Sequence, residues 1–524
     1  MRKRLISLIC ILALCLTLLP VGAFAGDISG WETNPPTTNG GWTETGNYET
    51  SWFDSQDAPK GTEDDPYIIS DAADLAGLSV IVNGLYTYAN EAYSFKDKYI
   101  KIADDATIDL AAHEWTPIGT KSNVYGGDIP EPDGSSSTTS TTAWFKGHFD
   151  GNNVSIKNLR ITNSDSDVVG LFGYALEAVI EKVTLEDAYI SAVDVKDGTY
   201  VGGIVALSDG STVQGCKVVS GLITATNDNS ETSGYVGGII GTNGKSLYNS
   251  TFQSGNASHV KNCTNGAKII SATQYTGGIV GINGGTKSPQ TDVYCTVTNC
   301  TNRGQIEANS VSTSSEFYAG GIAGGNLATI SNCKNEAAVK NTSGRAAGIA
   351  GHFEGKKKYI ADGAYALIQD CENTGAISGS TQVGGIVGYS WSDTNATITN
   401  CTNSDTISSC PGTVGSPAVG GIAGRVGSSG GKFTITNCVN TGSVSGETSG
   451  NPSSNTSAST AGGLVGTLHT SSALSNCYNT GTVTNYAVQS DSLLESAAGG
   501  LAGSVGTDSV VQDCHNVGTV EGYR

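Results

Sequence analysis

"NCTNRGQI" occupies Asn299 to Ile306, and close relatives of it recur: "NCKNEAAV" from Asn332, "NCVNTGSV" from Asn437 and "NCYNTGTV" from Asn476. Nine cysteines share this position: Cys216, Cys263, Cys300, Cys333, Cys371, Cys401, Cys438, Cys477 and Cys514. Eight of the nine have Asn two residues later, Cys216 having Val218 instead, and all nine have an aliphatic residue six later, from Leu222 to Val520. Asparagine and the glycine often found two residues beyond it tolerate left-handed backbone, so the pair predicts a tight corner between short strands.

A second signature travels with the first. "VGGIV" starts at Val201, "TGGIVG" at Thr276, "VGGIVG" at Val383 and "AGGLVG" at Ala461. Its second glycine falls at Gly170, Gly203, Gly238, Gly278, Gly321, Gly348, Gly385, Gly421, Gly463 and Gly500. The spacing runs from 27 residues (Gly321 to Gly348) to 43 (Gly278 to Gly321). Fixed motifs with variable inserts define a repeat array. No window across these units has the apolar spacing of a helix.

Each repeat therefore reads as three short strands and three corners, one coil of a right-handed parallel β-helix, about ten coils in all. A single coil cannot bury its apolar side chains, whereas stacked coils can. Right-handed crossovers dominate parallel connections. The corner after cysteine keeps its length, and the other two carry inserts such as "SGETSGNPSSNTSAST" at Ser445 to Thr460. Cysteines stacked at about 4.8 Å form a ladder of small buried apolar groups. Rung-to-rung disulfides fit that spacing poorly, and zinc ligands would not converge. Cys295 and Cys410 fall out of register and are the expected accessible thiols.

Composition and targeting set the compartment. "MRKR", an apolar core and "AFA" ending at Ala25 form a secretory signal peptide, residues 1–25. No further apolar run is long enough to span a membrane. The net charge is −20, with 28 Lys and Arg, which disfavours nucleic acid and anionic membranes.

The repeated Gly-Leu/Ile-x-Gly with a downstream Asn-Cys-x-Asn-x-Gly-x-Ile/Val resembles the GLUG-motif repeats of bacterial surface proteins. Such repeats are known from adhesin-like proteins and from IgA-type metallopeptidases. The resemblance covers Gly61 to the C-terminus and implies a β-helical surface protein. Its lead-in holds "GTEDDPYIISDAADLAGLSVIVNG", "EWTPIG" at Glu114 and "FKGHFDGNNVSIKNLRI" at Phe145. The implied organisation is a tryptophan-containing leader (26–62), an N-terminal cap with the first coils (63–167) and the repeats (168–524). Ser70 is the expected N-cap of a short amphipathic cap helix, with Leu75, Leu78 and Val82 on one face. Trp31, Trp42 and Trp52 read as leader side chains laid on the solenoid, with a carbohydrate-stacking strip as the alternative.

Motifs for chemistry are sparse. "HEW" at His113 has no second histidine four residues on, so the metallopeptidase signature is missing. "GTNGKS" at Gly241 lacks the earlier glycine of a phosphate loop, and no helix follows "GGIVGINGG" to make a dinucleotide site. No cofactor is implied. Calcium in the acidic run Asp54 to Asp65 is a minor alternative, because that run lacks the alternation of calcium loops.

The expectation is a non-catalytic secreted or cell-surface scaffold that adheres to a host or neighbouring-cell glycan or protein through its loops. A glycan-active β-helix enzyme or glycan-binding module, or a fragment of a larger surface protein, is the alternative. The candidate ligand contacts are Lys356, Lys357, Lys358, Tyr389 and Trp391. The last coil, Gly500 to Arg524, carries no evident cap, and end-to-end association through it is expected.

Overall fold

One repeat of the computed structural model shows why the two signatures travel together. The strand Tyr275–Gly277 joins sheet A and Val280–Asn283 joins sheet B. Thr296–Thr298 and Thr301–Asn302 form the two ladders of sheet C, and Ile306–Ala308 joins sheet D. The next coil pairs with each of them in parallel, Tyr275 with Tyr318, Val280 with Ala323, Thr296 with Thr329, Thr301 with Lys334 and Ile306 with Val339. Sheets A and B hold ten strands each, sheet D eleven and sheet C twenty-four. The chain is an all-β parallel β-helix. The structure describes residues 30–54, 60–86, 93–120, 143–164, 166–195, 198–226, 234–244, 254–285, 294–309, 316–355, 366–392, 395–410, 417–428, 431–448, 459–487 and 496–523. The signal-peptide reading lies outside them.

A coil thus has five strands rather than the three expected. The extra breaks have local causes. A Cβ at Gly277 would lie 1.9 Å from the Val280 carbonyl oxygen, so the chain can fold back there only without a side chain. That pinch splits one expected strand between sheets A and B. The second break is a left-handed residue just before each cysteine, as at Asn262, Asn299, Asn332, Asp370, Asn400, Asn437, Asn476 and Asp513, with φ between 52° and 56°. Asn and Asp reach this conformation more cheaply than other side chains.

The asparagine after each cysteine has a different job. The corner assigned to it lies three residues earlier, and its own amide is buried. Asn265, Asn302, Asn335, Asn373, Asn403, Asn440, Asn479 and Asn516 form a ladder, each Nδ2 donating to the next Oδ1 at 2.7–2.9 Å. The second Nδ2 hydrogen goes to the carbonyl two residues on, as from Asn302 to Gly304 at 3.0 Å. The amides are satisfied by one another, which removes the cost of burying them. The second motif glycine meets this ladder. A Cβ at Gly278 would sit 2.3 Å from Asn302 Cγ, and one at Gly421 would sit 2.2 Å from Asn440 Cγ. Glycine and asparagine recur together because they touch.

The cysteine ladder lines the interior. Every ladder cysteine from Cys216 to Cys477 is buried, and all eleven among the described residues are free thiols. Each Sγ donates to a carbonyl two residues back, as from Cys401 to Thr399 at 3.2 Å. Cys295 and Cys410 are buried as well, which overturns their expected accessibility. Cys295 packs with Ala257 and Ala328 outside the main core. Burial pushes the Cys295 thiol up to about 12. Cys514, on the last described coil, is the partly exposed thiol.

The N-terminal end is covered by helix α1 (Ser51–Asp54) and helix α2 (Ala72–Val82). Asp71, not Ser70, caps α2, its carboxylate accepting from the amides of Ala73 and Asp74 at 2.9 and 3.0 Å. Ser70 belongs instead to the strand Tyr67–Asp71. The helix is not amphipathic either, since every residue from Asp74 to Val82 is buried. The leader packs on its outer side, where a Cβ at Gly77 would lie 1.9 Å from Glu49 O. Trp42 and Trp52 are buried there, which removes the carbohydrate-strip reading for them. Trp31 lies edge-on to Tyr189, with the Arg160 guanidinium 5.0 Å from its ring. The expected insert Ser445 to Thr460 includes parts of the strands Val444–Thr448 and Ser459–Gly462, so the true insert is shorter, 449–458.

Candidate functional site

Pinching at the Gly-Gly pair leaves sheets A and B meeting at an outer corner, where outward side chains of one face those of the other. In each coil, a sheet A position faces the sheet B residue seven later. The Thr460 and Thr467 hydroxyls meet across it at 2.9 Å. A Cβ at Gly325 would lie 3.0 Å from the Tyr275 ring. The corner therefore has two rows, each repeating at the strand separation.

In the first coils the corner is filled. Tyr200, Tyr235, Tyr275 and Tyr318 stack along sheet A, with centroids 5.1–5.5 Å apart and rings within 14° of parallel. They form an apolar cluster with Leu207, Ile282 and Leu327, separate from the interior core, and are buried. At its start, the Tyr174 hydroxyl donates to Asp209 Oδ2 at 3.1 Å, and burial with that carboxylate raises the phenol well above its usual range.

From Arg345 onward the same row changes. Register places Arg345 where Tyr318 stood, and Gln382, Ala418, Thr460 and Ala497 follow. The facing row becomes His352, Tyr389, Arg425 and Thr467. The Arg345 guanidinium lies 4.9 Å from the Tyr318 ring and 4.0 Å from the Tyr389 ring. It donates through Nη1 to the Tyr318 hydroxyl and through Nε to Gln382 Oε1 at 2.7 Å. His352 Nε2 lies 3.4 Å from Glu354 Oε2, both buried. With smaller side chains opposite, Tyr389, Arg425 and Thr467 are half-buried rather than buried. The corner has become a trough.

The two aromatic candidates from the sequence lie here. Tyr389 and Trp391 sit on the strand Val387–Ser392, not on a loop, and alternation turns both outward. Trp391 meets His469 edge-on at 4.8 Å. It also covers Gly427, where a Cβ would be 3.2 Å from its ring. Burial, and then the charge of Arg425, hold the His469 imidazole below its usual range. The three lysines Lys356, Lys357 and Lys358 lie outside the described residues. The sequence reading missed Arg345, Gln382 and Arg425, although each stands at a fixed offset from a Gly-Gly pair and the seven-residue facing relation was there to be read.

Other chemistry is thin. No group of three His, Cys, Asp or Glu side chains among the described residues converges to hold a metal ion. Glu181, His148, Lys182 and Asp150 form an ion-pair network on the outer face of sheet C, at 2.9–3.4 Å. None of the described helices is long and apolar enough to cross a membrane.

The fold and its ladders define a class, a GLUG-repeat parallel β-helix. The family described as the GLUG motif matches residues 272–307, 379–408 and 457–484. Among curated proteins the chain is similar to Halomucin of Haloquadratum walsbyi, 31% identical over 171 residues. That match takes in 32% of this chain, which spans 2% of the length of Halomucin. Among solved structures it is similar to a "putative immunoglobulin A1 protease from Bacteroides ovatus". The TM-score is 0.31 at 15% identity, over 86% of each chain.

Proposed function

We propose that this chain is a non-catalytic scaffold, secreted or at the cell surface, that adheres to a glycan or protein through the trough between sheets A and B. The observation that carries this is the change along one corner. Four coils seal it with stacked tyrosines, and the coils after Arg345 leave Tyr389, Trp391 and Arg425 half-exposed on a rigid array. Rigid scaffolds commonly carry recognition on such prearranged concave faces. The GLUG repeats fit a surface role, as does the reading of residues 1–25 as a signal peptide. A glycan and matrix-protein array probed with the protein lacking residues 1–25 tests the proposal. Binding lost in Tyr389→Ala supports it, and an array with no binder at all refutes it.

A further inference from the structure

Resting on that adhesion reading, we propose that the trough takes an acidic sugar chain, with one carboxylate held by Arg425. Arg425 lies between Tyr389 and Thr467 in the sheet B row, opposite Ala418. Its Nε is buried and finds no acceptor among the described residues. It makes no ion pair with any described carboxylate, whereas Glu354 is matched to His352. Arg345 differs, because its Nη1 and Nε donate to Tyr318 and Gln382 and its plane is stacked on two tyrosines. Among the described residues of the trough, Arg425 is therefore the guanidinium engaged by neither a hydrogen-bond acceptor nor a carboxylate.

The half-buried Arg425 guanidinium is charged and unpaired, so an anion supplied from outside gains a charge-assisted hydrogen bond there. The guanidinium fork suits a carboxylate, which it can hold by two parallel bonds. The surroundings favour a sugar over an acidic peptide. Tyr389 and Trp391 offer aromatic surface for a ring, and Gln382, Thr460 and Thr467 offer amide and hydroxyl groups to its hydroxyls. The chain carries a net charge of −20, so a local cation marks the trough off from the rest of the surface.

Fluorescence polarisation with a labelled oligogalacturonate tests this, against a neutral galacto-oligosaccharide of equal length and a polyglutamate peptide. Wild-type protein is expected to bind the galacturonate and to weaken with salt. Arg425→Gln should lose at least about tenfold in affinity, one bidentate charged contact being worth that much. Arg425→Lys should restore part of it, and Lys217→Gln, on sheet C, should change nothing. Ala418→Tyr gives an independent check, because it rebuilds the tyrosine filling and should also abolish binding, with circular dichroism confirming the fold. The proposal is overturned if Arg425→Gln and Ala418→Tyr bind as wild type, if the neutral sugar binds equally, or if polyglutamate binds better. An array ligand that ignores these variants would overturn the acidic-sugar assignment and leave adhesion standing.

Discussion

The same corner is built twice, and the two versions use their surface differently. Between Tyr200 and Tyr318 the outward row of sheet A is aromatic, and each ring stacks on the next coil's. Between Arg345 and Ala497 the row holds Arg, Gln, Ala, Thr and Ala in the same register. The interior does not notice the change. The cysteine ladder runs beneath both stretches, and the asparagine ladder does so from Asn265 onward, Val218 holding its place in the Tyr200 coil. A solenoid can thus hold its core constant while one external row switches from packing to presentation, because each row is separated from the core by the sheet itself.

Tyrosine truncation should separate the two stretches most. Tyr235→Ala removes a buried ring flanked by two others and should cost about 3–5 kcal/mol. Tyr389→Ala, half-exposed, should cost well under half of that. Local opening read by hydrogen exchange is the better measure, since long repeat arrays need not unfold in one step. Equal costs at the two sites would mean that the corner is packed alike throughout.

The ladders should not tell the stretches apart. Asn302→Leu, under the tyrosines, and Asn403→Leu, under the trough, each strand the amides of two neighbouring coils. Each should cost about 2–4 kcal/mol, from an unsatisfied donor and acceptor. A large difference between them would show that the outer row supports the inner one. Cys401→Ser places a hydroxyl in the interior column and should cost about 1–3 kcal/mol. In native protein the first thiol to react with a titrant should be Cys514, with the others released by denaturant.

The alkaline limb depends on the same thiols. A thiol whose folded value is raised favours the native state below its unfolded value near 9. That contribution falls as pH rises toward the folded value, which is about 12 for Cys295. Cys295→Ala should therefore flatten the loss of stability between about pH 9 and 12, checked by thermal melts across that range. The smallest effect is reserved for the insert. Removing 449–458, between the strands Val444–Thr448 and Ser459–Gly462, should change stability by less than about 0.5 kcal/mol. A collapse in melting temperature would make that segment part of the trough wall.

The sequence was enough for the parallel β-helix and its repeat, because a fixed spacing of cysteine, asparagine and an aliphatic residue can be met only by stacked identical coils. It also placed Tyr389 and Trp391 among the exposed candidates. It could not say which asparagine turns the chain. Asn299 and Asn302 are the same residue type for different reasons, one tolerating a left-handed backbone and the other pairing its amide between coils. The pattern on one coil looks the same in either case. Nor could it reveal that Gly278 is small because Asn302 lies against it, or that Tyr318 and Arg345 share a row. Those facts exist only between coils, 27 or more residues apart, where stacking decides which side chain is covered and which is left to meet a ligand.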